Sequence, residues 1–159
     1  MTNSSRPAAL PRTEVTFTRT FNAPRALVWK AWTDPQMMAR WWGPKGFANP
    51  VCDMDVRVGG RILIHMQGPD GTVHPMTGIF DEVAEPECLV FRATPVDSNG
   101  APLLESLTTV TFHDVGGKTK IVVHASAAPL QPIGSQMLKG LEAGWSQSLE
   151  RLADLVERP

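Results

Sequence analysis

The sequence predicts an α+β fold: a seven-stranded curved antiparallel sheet, two short helices after strand 1, and a long C-terminal helix over the sheet. Three observations predict it. From about residue 50 to 127 the hydrophobic period is two and turn dipeptides recur at short intervals, which divides the stretch into six strands. Residues 133–157 carry an apolar stripe of helical period. A sheet with one apolar face needs a cover, and no other segment can supply it.

Strand 1 is residues 14–21, EVTFTRTF, where apolar and polar side chains alternate and β-branched residues are frequent. Asn22 then offers a cap and Pro24 suits a first helical turn, with Leu27, Val28, Ala31 and Trp32 on one face. Asp34-Pro35 repeats that signal for a second short helix through Met37, Met38, Trp41 and Trp42, stopped at Gly43-Pro44. The six following strands are punctuated at Gly59-Gly60, Pro69-Asp70-Gly71, Glu85-Pro86, Ser98-Asn99-Gly100 and Gly116-Gly117, where the backbone must reverse tightly. With His113 set opposite Lys118, Val110 faces Ile121 and Thr108 faces Val123, while Thr111 faces Lys120 on the other side. In the final helix Met137, Leu141, Trp145, Leu152, Leu155 and Val156 form the stripe, opposite Lys139, Glu150, Asp154 and Glu157.

A length of 159 residues suits one domain with its own core, expected over 13–158 behind a mobile tail at 1–12. With 15 basic and 16 acidic side chains and no basic run, no nucleic-acid partner is expected. No apolar run approaches the ~20 residues that span a bilayer, and no secretory leader is evident. The expected location is cytoplasmic, which fits Cys52 and Cys88 as reduced thiols.

Catalytic and cofactor motifs fail on inspection. Gly116-Gly117-Lys118-Thr119 suggests a phosphate loop, but the motif needs glycine where Phe112 stands, and a strand follows instead of a helix. Cys-x-x-Cys, His-Glu-x-x-His and Gly-x-Ser-x-Gly do not occur. Of His65, His74, His113 and His124, the last two lie ~20 Å apart on their hairpin and cannot share a metal. His65 would enter the interior only if its strand were one residue out of register. Asp53 and Asp55 fall on the outer face, where Asp55 and Arg57 read as a surface ion pair. No catalytic residue, metal or cofactor is assigned.

The tract APRALVWKAWTDPQMMARWWGP, followed by DVRVGGRI, GPDG and GIFDEVAEPECLVF, resembles the bacterial relatives of the activator of heat-shock protein 90 ATPase. These lie within the START-related SRPBCC superfamily, and the resemblance covers residues 14–157. It implies the helix-grip fold, which agrees with the element order read from the residues. It also implies a hydrophobic ligand, such as a lipid, polyketide or aromatic compound, held between sheet and helix. A minority of the superfamily are enzymes. In eukaryotic members an additional N-terminal domain partly carries co-chaperone activity, and no counterpart of it is expected here.

Within that frame, alternation nominates inward side chains. Pocket candidates on the strands are Met54, Ile64 and Met66, then Phe80 and Phe91, then Val110, Phe112 and Val123. Val56, Ile62, Leu89 and Ile121 point the same way. On the long helix the candidates are Met137, Leu141, Trp145 and Ser148. Ser148 interrupts the apolar stripe, so its hydroxyl must bond to the preceding turn, to water or to a ligand. Gly140 and Gly144 in mid-helix suggest a close approach to that backbone. Trp41 and Trp42 either form the pocket mouth or wedge the short helices against the sheet; at most one can face a ligand squarely.

The expected function is therefore a non-enzymatic carrier or sensor of a hydrophobic or aromatic small molecule. The rivals are a polyketide cyclase or dehydratase, which requires a buried ionisable group, and a chaperone-interaction module, which requires an exposed patch over a filled interior. The oligomeric state stays open, with a homodimer compatible.

Overall fold

A computed structural model describes residues 12–157; the tail expected at 1–12 lies outside the described residues except for Arg12. The elements run β1 (Thr13–Phe21), α1 (Arg25–Thr33), α2 (Pro35–Trp41), β2 (Ala48–Met54), β3 (Arg61–Gln67), β4 (Val73–Ala84), β5 (Cys88–Pro95), β6 (Leu104–Val115), β7 (Lys118–Pro129), α3 (Pro132–Lys139) and α4 (Leu141–Glu157). The seven strands form one antiparallel sheet in the order β1-β7-β6-β5-β4-β3-β2. Only β1 pairs out of sequence, and it does so with the last strand. Among the described residues no helix is long and apolar enough to cross a membrane.

The last hairpin differs from its expected register by two residues. Val115 pairs with Lys118, His113 with Lys120 and Val110 with Val123. Gly116 and Gly117 both have positive φ, 63° and 86°, so a two-residue turn closes the hairpin where a four-residue loop was expected. A shift of two preserves the faces, since side chains alternate with that same period. Val110, Phe112, Ile121 and Val123 are accordingly all buried.

One helix start and one helix length are corrected. Pro24, not Asn22, is the residue before α1, and the Asn22 amide instead donates to Glu157 Oε2 at 2.8 Å. At α2 the expected cap holds, with Asp34 Oδ1 accepting from the Gln36 amide at 2.9 Å. The C-terminal helix is not continuous. It breaks at Gly140, which ends α3 as its amide donates to the Met137 carbonyl at 3.1 Å. Glycine carries the largest entropic penalty in a helix apart from proline's steric one, so the chain departs from helical geometry there at least cost.

α4 seals the sheet through Leu149, Leu152, Ala153 and Val156, all buried. Its polar side is tethered to β1: Arg19 Nη1 donates to Glu150 Oε1 at 2.7 Å, and the Asn22 bond holds the last turn.

The close approach expected at the helix glycines is absent. A Cβ on Gly144 would meet nothing within 4 Å, and one on Gly140 only the Met137 carbonyl at 3.7 Å. Gly144→Ala is therefore expected to stabilise the protein by ~0.5–1 kcal/mol, the helix-propensity difference, with a matching rise in urea midpoint. A destabilised Gly144→Ala protein would show a hidden contact at that position.

Candidate functional site

The space between α1, α2, α4 and the sheet is occupied by aromatic rings. Trp29 and Trp32 stand three residues apart on α1, which sets both on its inner face. Trp32 meets Trp41 edge-on at 4.6 Å and 65°, and Phe112 at 6.1 Å and 87°. Trp145, from α4, lies nearly parallel to Trp32 at 6.2 Å and 21°, and edge-on to Trp42 at 5.6 Å and 83°. Such tilted and offset arrangements are those that ring quadrupoles favour.

The predicted pocket residues separate into three groups. Trp41, Ile64, Phe80, Phe91, Val110, Phe112 and Val123 are between 0% and 3% exposed, with Trp42 at 9%. Surfaces so completely covered rest on neighbouring side chains. Met54, Met66 and Trp145 are half-buried and pack against that core. Met137 and Leu141 are half-buried outside it, on either side of the helix break.

Two side chains resolve alternatives left open by the sequence. Ser148 Oγ donates to the Gly144 carbonyl at 2.9 Å, so its hydroxyl is satisfied within α4. Trp41 Nε1 donates to the Ala31 carbonyl at 2.8 Å, which fastens α2 against α1. Of the tryptophan pair, Trp41 thus wedges the short helices.

The end of α2 is held by two residues that the sequence reading did not single out. Arg151 of α4 reaches across: Nη1 donates to the carbonyls of Trp42, Gly43 and Pro44 at 3.1, 2.9 and 3.0 Å, and Nη2 to that of Arg40 at 3.2 Å. Asn49 Nδ2 donates to the carbonyls of Ala39 and Trp42 at 3.0 and 2.8 Å. Together they satisfy carbonyls that a helix end leaves without partners, and the cation sits at the negative end of the helix dipole. Burial pushes the Arg151 pKa down. The sequence offers only a faint sign of this, a cation on the flank of an apolar stripe.

Among the described residues two buried side-chain polar atoms have no hydrogen-bond partner: Trp32 Nε1 and Asn49 Oδ1. An unpaired donor or acceptor in an apolar surround costs roughly 1–3 kcal/mol, so each asks for an explanation.

Elsewhere the histidines and the charged side chains of β2 and the turn after it lie outside the core. His65 alternates with the buried Ile64, and Arg57 Nε donates to Asp55 Oδ2 at 2.7 Å on the surface. Cys52 and Cys88 are free thiols. Burial, and then the Asp53 charge, pushes the Cys52 thiol up to about 11. Among the described residues no group of three or more His, Cys, Asp or Glu could hold a metal ion.

Clefts open on the surface of the described residues. One of about 410 Å³ runs beside α1, between Trp29 and Lys30 on one wall and Val56, Val83 and Glu85 on the other. A second, of about 280 Å³, lies between α3 and the start of β1. Neither is bordered by the predicted pocket residues.

Comparison with known proteins bears on this architecture. A family model described as Activator of Hsp90 ATPase homolog 1-like protein matches residues 22–157. A crystal structure from Chromobacterium violaceum is 27% identical, covers 92% of this chain and 98% of its own, and superposes with a TM-score of 0.79. A solution structure from Arthrobacter aurescens is 26% identical, with coverage of 92% and 87% and a TM-score of 0.79. A crystal structure from Mycobacterium smegmatis is 26% identical, with coverage of 91% and 88% and a TM-score of 0.70. No curated protein matches the sequence.

Proposed function

The chain belongs to the Activator of Hsp90 ATPase homolog 1-like family, and from that premise we propose that it binds a hydrophobic or aromatic small molecule between the sheet and α4, as a carrier or sensor. The fold of this family often serves ligand binding. The observation that carries the reading is the unpartnered indole N–H of Trp32, enclosed among rings. Of the rings around it, Trp145 is the one not fully buried, contributed by α4. A flat ligand that displaces Trp145 would exchange one ring contact for another and offer Trp32 an acceptor. The buried polar side chains among the described residues are Asn49, Thr108, Thr119 and Ser148, none of which ionises near neutral pH. That supports binding over acid–base catalysis.

The test pairs two probes of similar shape. 2-Acetylnaphthalene, which carries a carbonyl, is expected to shift the Trp32 indole N–H resonance saturably. 2-Ethylnaphthalene, which lacks an acceptor, should bind at least about fivefold more weakly, the worth of one net hydrogen bond. Native mass spectrometry of protein from its own source should show a retained small molecule. No retained mass and no Trp32 shift with either probe would end the reading.

A further inference from the structure

The cleft beside α1 lies apart from the Trp32–Trp145 region and is built differently. α1 lines it with Ala26, Trp29 and Lys30, spaced at one helical turn; Ala26 and Lys30 are exposed, while Trp29, buried against Phe112 at 5.2 Å, shows the cleft only an edge. Val56, between β2 and β3, and Val83 with Glu85, around the β4–β5 turn, form the facing wall. Thr33 also borders it, but its hydroxyl already donates to the Trp29 carbonyl at 2.9 Å. What remains for a ligand is an apolar wall of one indole edge, one methyl and two isopropyl groups, with a single cation and a single carboxylate.

Those two charges are the informative pair. Among the described residues neither Lys30 nor Glu85 takes part in any ion pair within 4.0 Å. They border the same cleft without meeting across it. We propose that this cleft is a binding site for a small zwitterion with an apolar side chain, of the α-amino acid class. The ligand's carboxylate meets Lys30 Nζ, its ammonium meets the Glu85 carboxylate, and its side chain lies on Trp29, Val56 and Val83. A ligand carrying one charge alone leaves the opposite rim group unpaired, so the arrangement discriminates by charge pattern as well as by shape. The volume, about 410 Å³, lies within the range of small-molecule sites.

The experiment follows the Trp29 indole N–H resonance during titration with L-phenylalanine. A saturable shift below about 10 mM is expected. Lys30→Gln and Glu85→Gln should each weaken binding by about fivefold, the scale of a partly exposed charge contact, and both lie on the surface, where the fold does not depend on them. 3-Phenylpropionate and phenethylamine, each missing one charge, should bind more weakly by a similar factor. Absence of a saturable shift, or equal binding by the two variants or by either analogue, would overturn the proposal. Trp29 shares Phe112 with Trp32, so the response of Lys30→Gln and Glu85→Gln, neither of which belongs to the ring cluster, is what separates this result from that for the interior site.

Discussion

Arg151→Ala is expected to lower stability by ~2–4 kcal/mol in urea unfolding, although the side chain makes no salt bridge among the described residues. Its four hydrogen bonds all end on backbone carbonyls, those of Arg40, Trp42, Gly43 and Pro44. Deletion leaves the Arg40 and Gly43 carbonyls without a donor among the described residues, since Asn49 still reaches Trp42 and the Phe47 amide still reaches Pro44, and it releases the end of α2 from α4. The group is partly exposed, so water can replace some of the loss, which keeps the figure within the range for a few charged hydrogen bonds. Arg151→Lys should recover less than half, because an ammonium is a point donor and cannot span carbonyls on both sides as the planar guanidinium does. The loss should also be nearly independent of salt, since no opposite charge is involved. A change below about 0.5 kcal/mol, the scale of an ordinary surface substitution, would mean that the α2 terminus is held by Asn49 alone.

Trp41→Ala should be more damaging still, at ~3–5 kcal/mol, the usual range for removing a large buried ring. The ring has no exposed surface, and it sits at the meeting of α1, α2 and the aromatic cluster. Trp41→Phe separates the two contributions. Most of the ring contact survives, but the Ala31 carbonyl loses the indole N–H that reached it at 2.8 Å, for ~1–3 kcal/mol. Equal losses in the two variants would show that the hydrogen bond, not the packing, fixes this side chain. If Trp41→Ala fails to accumulate as folded protein, Trp41→Phe still carries the measurement.

The inner face of the sheet was legible because alternation is local: Ile62, Ile64, Phe80, Leu89, Phe91, Val110, Phe112, Ile121 and Val123 read as inward and are buried. Register was less legible. Whether Gly116-Gly117 closes a two-residue or a four-residue turn leaves the same residues on each face, so burial pattern could not choose between them. Ser148 shows the same boundary. Its place in the apolar stripe was visible, yet the partner of its hydroxyl was a matter of three-dimensional reach. The helix break at Gly140 could be suspected from its residue type, but amphipathic periodicity continues across it and masks the interruption.

The sequence by itself determined the order of the strands and short helices and the two faces of the sheet, since each depends on spacing within a few residues, and its motifs carried the resemblance to the family. Only the tertiary structure decided that Arg151 holds a turn 107–111 residues away, that Trp32 keeps a buried N–H without a partner, and that a cleft beside α1 carries two unjoined charges. The physical reason is common to all three. Hydrogen-bond partners and cleft walls are set by which distant segments meet when the sheet closes, and periodicity along the chain holds no record of those meetings.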